Sequence, residues 1–201
     1  SSSGQTPMLV SVDGDYRGYI TVADSVRASS QATLAQLKAD GVEHLIMLTG
    51  DNQATARRIA SDVGLTDVRA DLLPAQKVEA MRGLLSQFGA VAMVGDGIND
   101  APALATATVG IAMGGSGTAQ AIETADVALM NDSLERLPFA LRLSRKTMQT
   151  IRHNIAFAIG IKLLFLVAVL LGFGTMWMAV LADVGASLLV TLNGMRMARW
   201  E

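Results

Sequence analysis

The 201-residue sequence predicts an α/β domain with a parallel sheet, followed by a hairpin of two transmembrane helices. Two observations predict this fold class. Short apolar segments alternate with helical segments through the first two thirds of the chain, which is typical of a parallel, doubly wound sheet. Between residues 155 and 195 the only charged residues are Lys162 and Asp183, so this stretch is apolar enough to lie in lipid.

Composition and charge exclude several classes of protein. Hydrophobic residues make up 51% of the chain and charged residues 17%, so it is not a disordered tail. The absence of Cys excludes a disulfide framework, a zinc finger or an iron–sulfur site within the chain. Residues 1–133 carry 8 Lys and Arg against 15 Asp and Glu, whereas residues 134–154 carry 5 against 1. One short basic segment does not make a nucleic-acid-binding surface, so no nucleic-acid partner is expected.

The first elements can be assigned from turn residues and helix caps. Alternating residues at 8–12 and 16–22 flank Asp13-Gly14, which predicts a β-hairpin. Gly41 and Gly64 end helices, and Pro74 suits the first position of one. The segments that follow the hairpin are predicted in this order: a helix over 30–40, a strand over 44–48, helices over 52–63 and 74–87, a strand over 90–94 and a helix over 119–125, with further short units ending near residue 129.

The apolar tail is long enough for two crossings, because about 20 helical residues span a bilayer core of about 30 Å. The natural break is the uncharged turn at 172–175, and Trp177 is expected to anchor at the interface. Basic residues flank both outer ends, which places those ends and the head in the cytoplasm. The alternative is a buried hairpin inside a large soluble protein.

Lys162 and Asp183 lie at similar predicted depths in the two spans. They are 12 residues before and 9 residues after Gly174, or at depths of about 18 and 14 Å from the turn. Each costs about 2.5 to 3.5 kcal/mol near a helix centre, which favours mutual neutralisation around an ion path. The alternatives are a purely structural pair, or a Lys162 side chain that extends to a lipid headgroup.

The head carries candidate chemistry at the predicted strand ends. After the strand at 90–94 comes Gly-Asp-Gly-Ile-Asn-Asp-Ala-Pro-Ala-Leu at 95–104, in which Asp96 and Asp100 can supply the oxygen ligands of Mg²⁺. Thr49 follows another apolar strand, and its hydroxyl can donate to a phosphate oxygen. Lys77 can supply a cation for a phosphoryl group. The motif at 95–104 is the specific signal, since the other residues are common in turns and helices.

Together, Thr49-Gly50-Asp51, Lys77, the 95–104 motif and the basic helix entering membrane spans resemble the C-terminal part of a P-type ATPase. The resemblance covers nearly the whole chain. It implies an incomplete phosphorylation domain of the haloacid-dehalogenase fold. The implied divisions are the end of the nucleotide-binding domain with the hinge at 1–20, the partial phosphorylation domain at 21–133, a basic connecting helix at 134–154, and the last two transmembrane helices at 155–201.

The resemblance also implies roles for individual residues, with Mg²⁺ and ATP as cofactors. The implied roles are phosphoryl binding by Thr49, Gly50 and Asp51, neutralisation of the phosphoryl group by Lys77, Mg²⁺ binding by Asp96 and Asp100, support of the local network by Asn99, and a hinge to the nucleotide-binding domain at Asp24 and Arg27.

The tail is similar to the branch of the family that exports Zn²⁺, Cd²⁺ and Pb²⁺. By that resemblance Asp183, in Asp183-Val184-Gly185, is a ligand of the transported metal, and Lys162 is its counter-charge inside the membrane. Copper exporters carry Tyr-Asn and Met/Ser-Ser patterns in these spans, and the sequence lacks them. A hard carboxylate also suits a divalent ion better than Cu⁺.

The family's phosphorylated Asp-Lys-Thr-Gly-Thr segment does not occur in the sequence, and the Ser-Ser-Ser-Gly start lacks Met, so a fragment is expected. The expected partners are the missing N-terminal portion of the same pump, the lipid bilayer and divalent metal ions, in a multi-pass plasma-membrane protein. The fragment is expected to be inactive alone. Three alternatives remain: a membrane-anchored phosphatase of the same fold, a copper-exporter fragment, and an inert interaction module.

Overall fold

The computed structural model describes residues 6–22, 26–96, 99–114, 119–130 and 133–199. The chain forms two compact units, Ser1–Pro138 and Phe139–Glu201. The first unit contains the strands and the shorter helices, and the second contains most of the apolar tail.

The predicted β-hairpin is confirmed. Strand β1 (Thr6–Val12) pairs antiparallel with β2 (Asp15–Val22), with an irregularity in register after Val10. Asp13 and Gly14 join the strands with φ angles of 55° and 88°. Two successive positive φ angles give the tight turn whose twist matches that of the flanking strands, and Asp-Gly tolerates them.

The remainder of the first unit alternates helices and parallel strands, as predicted. In chain order the elements are α1 (Ala28–Ala39), β3 (Ile46–Leu48), α2 (Gln53–Val63), β4 (Asp67–Arg69), α3 (Pro74–Phe88), β5 (Ala92–Gly95), α4 (Ala101–Thr106), β6 (Val109–Met113), α5 (Ala119–Thr124) and β7 (Val127–Leu129). Strand β3 pairs parallel with β4, and β5, β6 and β7 form a second parallel ladder in that order. The parallel pairing is therefore confirmed, but the described strands form two ladders instead of one continuous sheet.

Local capping explains where two of these helices begin and end. Asn52 accepts a hydrogen bond on its side chain from the Thr55 N–H (3.0 Å) at the start of α2, and Gly64 ends the helix at φ 75°. At the start of α3 the Gln76 Oε1 accepts from the Leu73 N–H at 2.8 Å. Each contact satisfies a backbone group that the helix terminus leaves without an intrahelical partner.

Two predicted strands have different bounds in the structure. Strand β3 is shorter than the predicted 44–48, and β5 begins two residues later than the predicted 90–94. The Val91 N–H donates to the Thr108 Oγ1 (3.1 Å) and the Val91 carbonyl accepts from the Thr108 N–H (2.9 Å), so the segment before β5 is bonded to the turn that precedes β6. The regular ladder starts only at Ala92, opposite Val109.

The core of the first unit joins the two ladders. Met81 of α3, Met93 of β5 and Leu104 of α4 are its larger buried members. Leu48 of β3 and Val78 of α3 pack against the same cluster. Because both ladders share this core, the carboxyl ends of β3 and β5 are held within one packed unit.

The basic segment and the apolar tail together form two long helices, α6 (Arg136–Leu170) and α7 (Met176–Met195), followed by a short 3₁₀ helix at Arg196–Arg199. The predicted basic helix at 134–154 and the first predicted span are continuous in α6. The predicted break at 172–175 is confirmed: Gly172 has φ 84°, and the Thr175 Oγ1 caps α7 by accepting from the Met178 N–H. Both helices are long and apolar enough to cross a bilayer, and almost none of their apolar residues are buried within the chain.

Candidate functional site

An ion pair lies beside the carboxyl end of β5. The Lys77 Nζ in α3 donates to the Asp100 Oδ1 at 2.7 Å, and Asp100 is the residue that precedes α4. Their side chains are 14% and 15% exposed. Attraction between two charges is stronger at a site screened from water than at a solvated surface, so this pair fixes Lys77 and Asp100 against each other.

The Thr49-Gly50-Asp51 loop follows β3 and has its own hydrogen bonds. The Thr49 Oγ1 donates to the Asp51 Oδ2 (3.0 Å) and accepts from the Asp51 N–H (3.1 Å). The segment after β4 holds the loop, because the Thr49 carbonyl accepts from the Leu72 N–H (3.0 Å) and the Asp51 carbonyl from the Asp71 N–H (2.8 Å). The predicted phosphoryl-binding residues therefore lie in one turn at the end of β3, and hydrogen bonds to the segment after β4 hold this turn in place.

Asp96 and Asn99 are exposed residues that follow β5, and the two residues between them lie outside the described part of the chain. Among the described residues no group of three His, Cys, Asp or Glu could hold a metal ion by itself. Mg²⁺ needs no such group, because it commonly takes one or two protein carboxylates and completes its shell with water and substrate phosphate. The binding of Mg²⁺ by Asp96 and Asp100 therefore stays a prediction.

Gly95 leaves room for the Asp100 side chain. A Cβ atom at Gly95 would lie 2.9 Å from the Asp100 Cβ and 3.1 Å from its Oδ2. The first distance is shorter than real Cβ atoms show and the second is tighter than most of their contacts, so any larger residue would displace Asp100, whose carboxylate pairs with Lys77. The glycine that ends β5 is thus part of the geometry of this site.

We expect Gly95→Ala to lower the free energy of unfolding by about 1–3 kcal/mol, because the added methyl group overpacks against Asp100. Thermal denaturation of the chain in detergent micelles measures this effect. Gly83→Ala is the matched control: Gly83 lies in the middle of α3, and no atom outside its own helix would lie within 4 Å of an added methyl group. Alanine there should stabilise the helix by about 0.5–1 kcal/mol. Equal stability of the two variants would contradict the close contact at Gly95.

The predicted hinge is only partly described. Asp24 lies outside the described residues. Arg27 immediately precedes α1, with an extended backbone (φ −63°, ψ 133°) and an exposed side chain. The role of these two residues at the nucleotide stays a prediction.

The second unit brings together the two charged residues of the apolar stretch. The Lys162 Nζ of α6 lies 3.2 Å from the Asp183 Oδ1 of α7. Their side chains are 68% and 61% exposed, so the pair lies on an open side of the helix hairpin and is not enclosed by it. The similar depths that the sequence predicts for the two residues agree with this contact.

Three residues near these sites were not singled out from the sequence. Asp71 contacts the Asp51 carbonyl through its N–H and has φ 54°, a left-handed conformation that non-glycine residues seldom adopt. Asn154 and Asn193 hydrogen-bond to each other across α6 and α7 at 2.7 Å. A signal for the two asparagines was present, because Asn154 directly precedes the apolar stretch that begins at residue 155 and Asn193 lies near the end of α7.

Known proteins share both parts of this architecture. The chain is 55% identical to a probable cadmium-transporting ATPase from Listeria monocytogenes, over 98% of the chain and 28% of that protein. It is 48% identical to a zinc/cadmium/lead-transporting P-type ATPase from Escherichia coli K12, over 98% of the chain and 26% of that protein. The chain thus spans about a quarter of the length of these curated relatives.

A solved structure of a zinc-transporting PIB-type ATPase in its E2.Pi state superposes with a TM-score of 0.87 at 48% identity, over 98% of this chain and 32% of that one. The profile of the haloacid dehalogenase-like hydrolases matches residues 2–108, which is more than half of the chain. The chain therefore belongs to the haloacid dehalogenase-like hydrolase family.

Proposed function

We propose that this chain is the C-terminal part of an ATP-driven pump that exports Zn²⁺, Cd²⁺ or Pb²⁺, and that it supplies half of a phosphorylation site together with an intramembrane metal site. The observation that carries the proposal is the 3.2 Å pair between Lys162 and Asp183. Ionisable residues inside membrane helices are costly and commonly mark an ion path. The names of the relatives, which are cadmium- and zinc-transporting ATPases, support the same assignment.

In the head, the chain's own residues bind and orient a phosphoryl group. The Thr49 hydroxyl, at the end of β3, would turn from Asp51 to the phosphoryl group, and Asn99 directly precedes Asp100 in the sequence. Lys77 offers a cation, held in place by Asp100 at 2.7 Å. Mg²⁺, bound by Asp96 and Asp100, would neutralise charge on the transferred phosphoryl group. ATP is the phosphoryl donor in this proposal, with Asp24 and Arg27 at the hinge towards the nucleotide.

The unpaired edges of β3 and β5 support the proposal that a further segment of the pump joins this domain. Strand β3 is paired with β4 and β5 with β6, while within the described residues no strand occupies the other edge of β3 or of β5. Both strands nevertheless contribute to one core through Leu48 and Met93. We infer that a strand from the N-terminal portion of the pump pairs with these edges, because a strand at the edge of a sheet exposes unpaired N–H and C=O groups that favour such addition.

In the membrane, Asp183 is the proposed metal ligand and Lys162 the counter-charge that neutralises it when no metal is bound. A carboxylate favours a divalent ion over Cu⁺, which prefers thiolate and thioether ligands. The head and both ends of the hairpin would be cytoplasmic in the plasma membrane, because basic residues flank both spans.

A chimeric pump tests this function. The chain replaces the corresponding segment of the Escherichia coli zinc/cadmium/lead-transporting ATPase, to which it is 48% identical. We expect the chimera to form an acid-stable phosphoenzyme from ATP that Zn²⁺ stimulates and Cu⁺ does not. The 201-residue chain alone should form none, because its sequence lacks the Asp-Lys-Thr-Gly-Thr segment.

Each alternative gives a different result in this assay. A phosphoenzyme on the isolated chain, or hydrolysis of a simple phosphate monoester by it, would favour a membrane-anchored phosphatase. Stimulation of the chimera by Cu⁺ instead of Zn²⁺ would favour a copper exporter. A chimera that reaches the membrane and binds ATP without forming a phosphoenzyme would favour an inert interaction module.

A further inference from the structure

Two asparagines form a polar contact between α6 and α7 at the end of the hairpin opposite the Gly172 turn. The Asn193 Nδ2 donates to the Asn154 Oδ1 at 2.7 Å, and the Asn154 Nδ2 donates to the Val190 carbonyl at 3.3 Å. Both side chains are partly buried, whereas most of their neighbours on the two helices are exposed. In apolar surroundings an asparagine needs a hydrogen-bonding partner, and a single polar pair can select one helix register over others.

The Asn154–Asn193 contact and the Lys162–Asp183 ion pair are separated by similar distances along α6 and along α7. Lys162 is 8 residues from Asn154 and Asp183 is 10 residues from Asn193, both in the direction of the turn. At about 1.5 Å per residue these separations are about 12 and 15 Å. The difference is small enough for the long lysine side chain to cover, which agrees with the contact of 3.2 Å.

The angular positions of these four residues around the two helix axes also agree with both contacts. At about 100° per residue, the 8 residues from Asn154 to Lys162 make two full turns plus about 80° around α6. The 10 residues from Asn193 to Asp183 make three full turns less about 80° around α7. The two helices face each other, so rotations of opposite sense carry both side chains to the same side of the hairpin. This explains how Lys162 and Asp183 form an ion pair although they are 68% and 61% exposed.

We propose that the Asn154–Asn193 pair is a positioning device that sets the register and rotation of α6 and α7, so that Lys162 and Asp183 face the same open side of the hairpin. A slip of one residue in α7 would turn Asp183 by about 100° and take it away from Lys162. The importance of this geometry for metal handling rests on the proposed function. The geometry itself does not, so the two can fail separately.

Spin labels can measure the rotation, because the chain has no Cys and two introduced cysteines would be its only labelling sites. Leu166 is four residues from Lys162 and Val180 is three residues from Asp183, so helix periodicity places each about one turn further along the same face of its helix; they are 55% and 44% exposed. Leu181, 70% exposed, is two residues from Asp183, so helix periodicity places it about 200° around α7 from that residue. Electron paramagnetic resonance in lipid nanodiscs should show strong dipolar broadening for labels at 166 and 180 and weak broadening for labels at 166 and 181.

We expect Asn154→Leu, which keeps the side-chain size and removes both hydrogen bonds, to abolish most of the difference in broadening between the two label pairs. Asn154→Asp should keep the difference, because it retains the acceptor that Asn193 uses. Thr191→Val is the matched control, since the Thr191 hydroxyl donates to the Ser187 carbonyl within α7 and not to α6. Circular dichroism checks that every variant remains helical.

If Asn154→Leu remains helical and the two label pairs still differ in dipolar broadening as much as before, the proposal is overturned. An equal loss of that difference in Thr191→Val would also overturn it. In the chimeric pump, Asn154→Leu should raise the Zn²⁺ concentration for half-maximal ATPase stimulation about 10-fold, with a smaller change in the maximal rate, as expected of a residue that orients a metal ligand. A chimera without Zn²⁺ stimulation would refute the proposed function, while the label measurement, made without metal, would still decide the positioning role.

Discussion

Asp183→Ala in the chimeric pump should abolish Zn²⁺-stimulated ATP hydrolysis, with a loss on the order of 100-fold or more, because alanine offers no ligand for the metal and leaves the Lys162 charge without its partner. The measurement is ATPase activity in reconstituted membranes over a range of Zn²⁺ concentrations. Ser187→Ala is the matched control, because Ser187 is an exposed residue one turn further along α7 and the ion pair is formed by Lys162 and Asp183 alone. It should retain Zn²⁺ stimulation.

A double variant separates a metal site from a structural ion pair. Lys162→Ala alone should leave metal binding in place and slow turnover, because the counter-charge is lost while the ligand remains. If the pair served only for stability, removing both charges would remove the desolvation cost together with the attraction, and Lys162→Ala with Asp183→Ala would recover activity. We expect no recovery, and recovered Zn²⁺ stimulation would contradict the role of Asp183 as a ligand.

Asp100→Asn should reduce phosphoenzyme formation from ATP by about 100-fold or more, a loss comparable to removing one preorganised group from a catalytic site. The variant keeps the side-chain size but removes a negative charge that the proposal assigns to Mg²⁺, and it leaves Lys77, 14% exposed, beside a neutral amide. Asp96→Asn should act in the same direction. Phosphoenzyme levels are measured at several Mg²⁺ concentrations, since a weakened site is expected to need more of the ion.

A surface ion pair on the same helix gives the control for Asp100. Glu79 and Arg82 of α3 are also 2.7 Å apart, but their side chains are 70% and 64% exposed. Exposed pairs contribute little, so Glu79→Gln should leave phosphorylation unchanged. Near-normal phosphoenzyme in Asp100→Asn at moderate Mg²⁺ would count against the assignment of both carboxylates.

Some elements of this protein are encoded in short stretches of sequence. Asp13-Gly14 specifies the turn between β1 and β2, because both positions must adopt positive φ and these residues tolerate it. Asn52, Gly64 and Pro74 mark helix ends through their caps and backbone angles. The two apolar spans follow from hydropathy, because each must satisfy its backbone hydrogen bonds internally in lipid, and the turn that begins at Gly172 marks the break between them.

Sequence also located most of the candidate site residues, since strand-end motifs such as 95–104 combine an apolar strand with glycines and carboxylates in a recognisable order. Their roles remain predictions. The resemblance to cation pumps was likewise visible in these motifs, and the similarity to cadmium- and zinc-transporting ATPases agrees with it.

Contacts between distant residues were decided only by the tertiary structure. Lys77 and Asp100 are 23 positions apart, and no local periodicity relates a helix residue to the residue before a later helix. The Asn154–Asn193 contact, across 39 positions, likewise depends on how two helices rotate against each other. The division of the parallel strands into two ladders also depends on which edges meet in the packed core. Helix and strand preferences act over a few residues, whereas these pairings arise from packing between elements, so the sequence by itself determined the elements and the fold determined their partners.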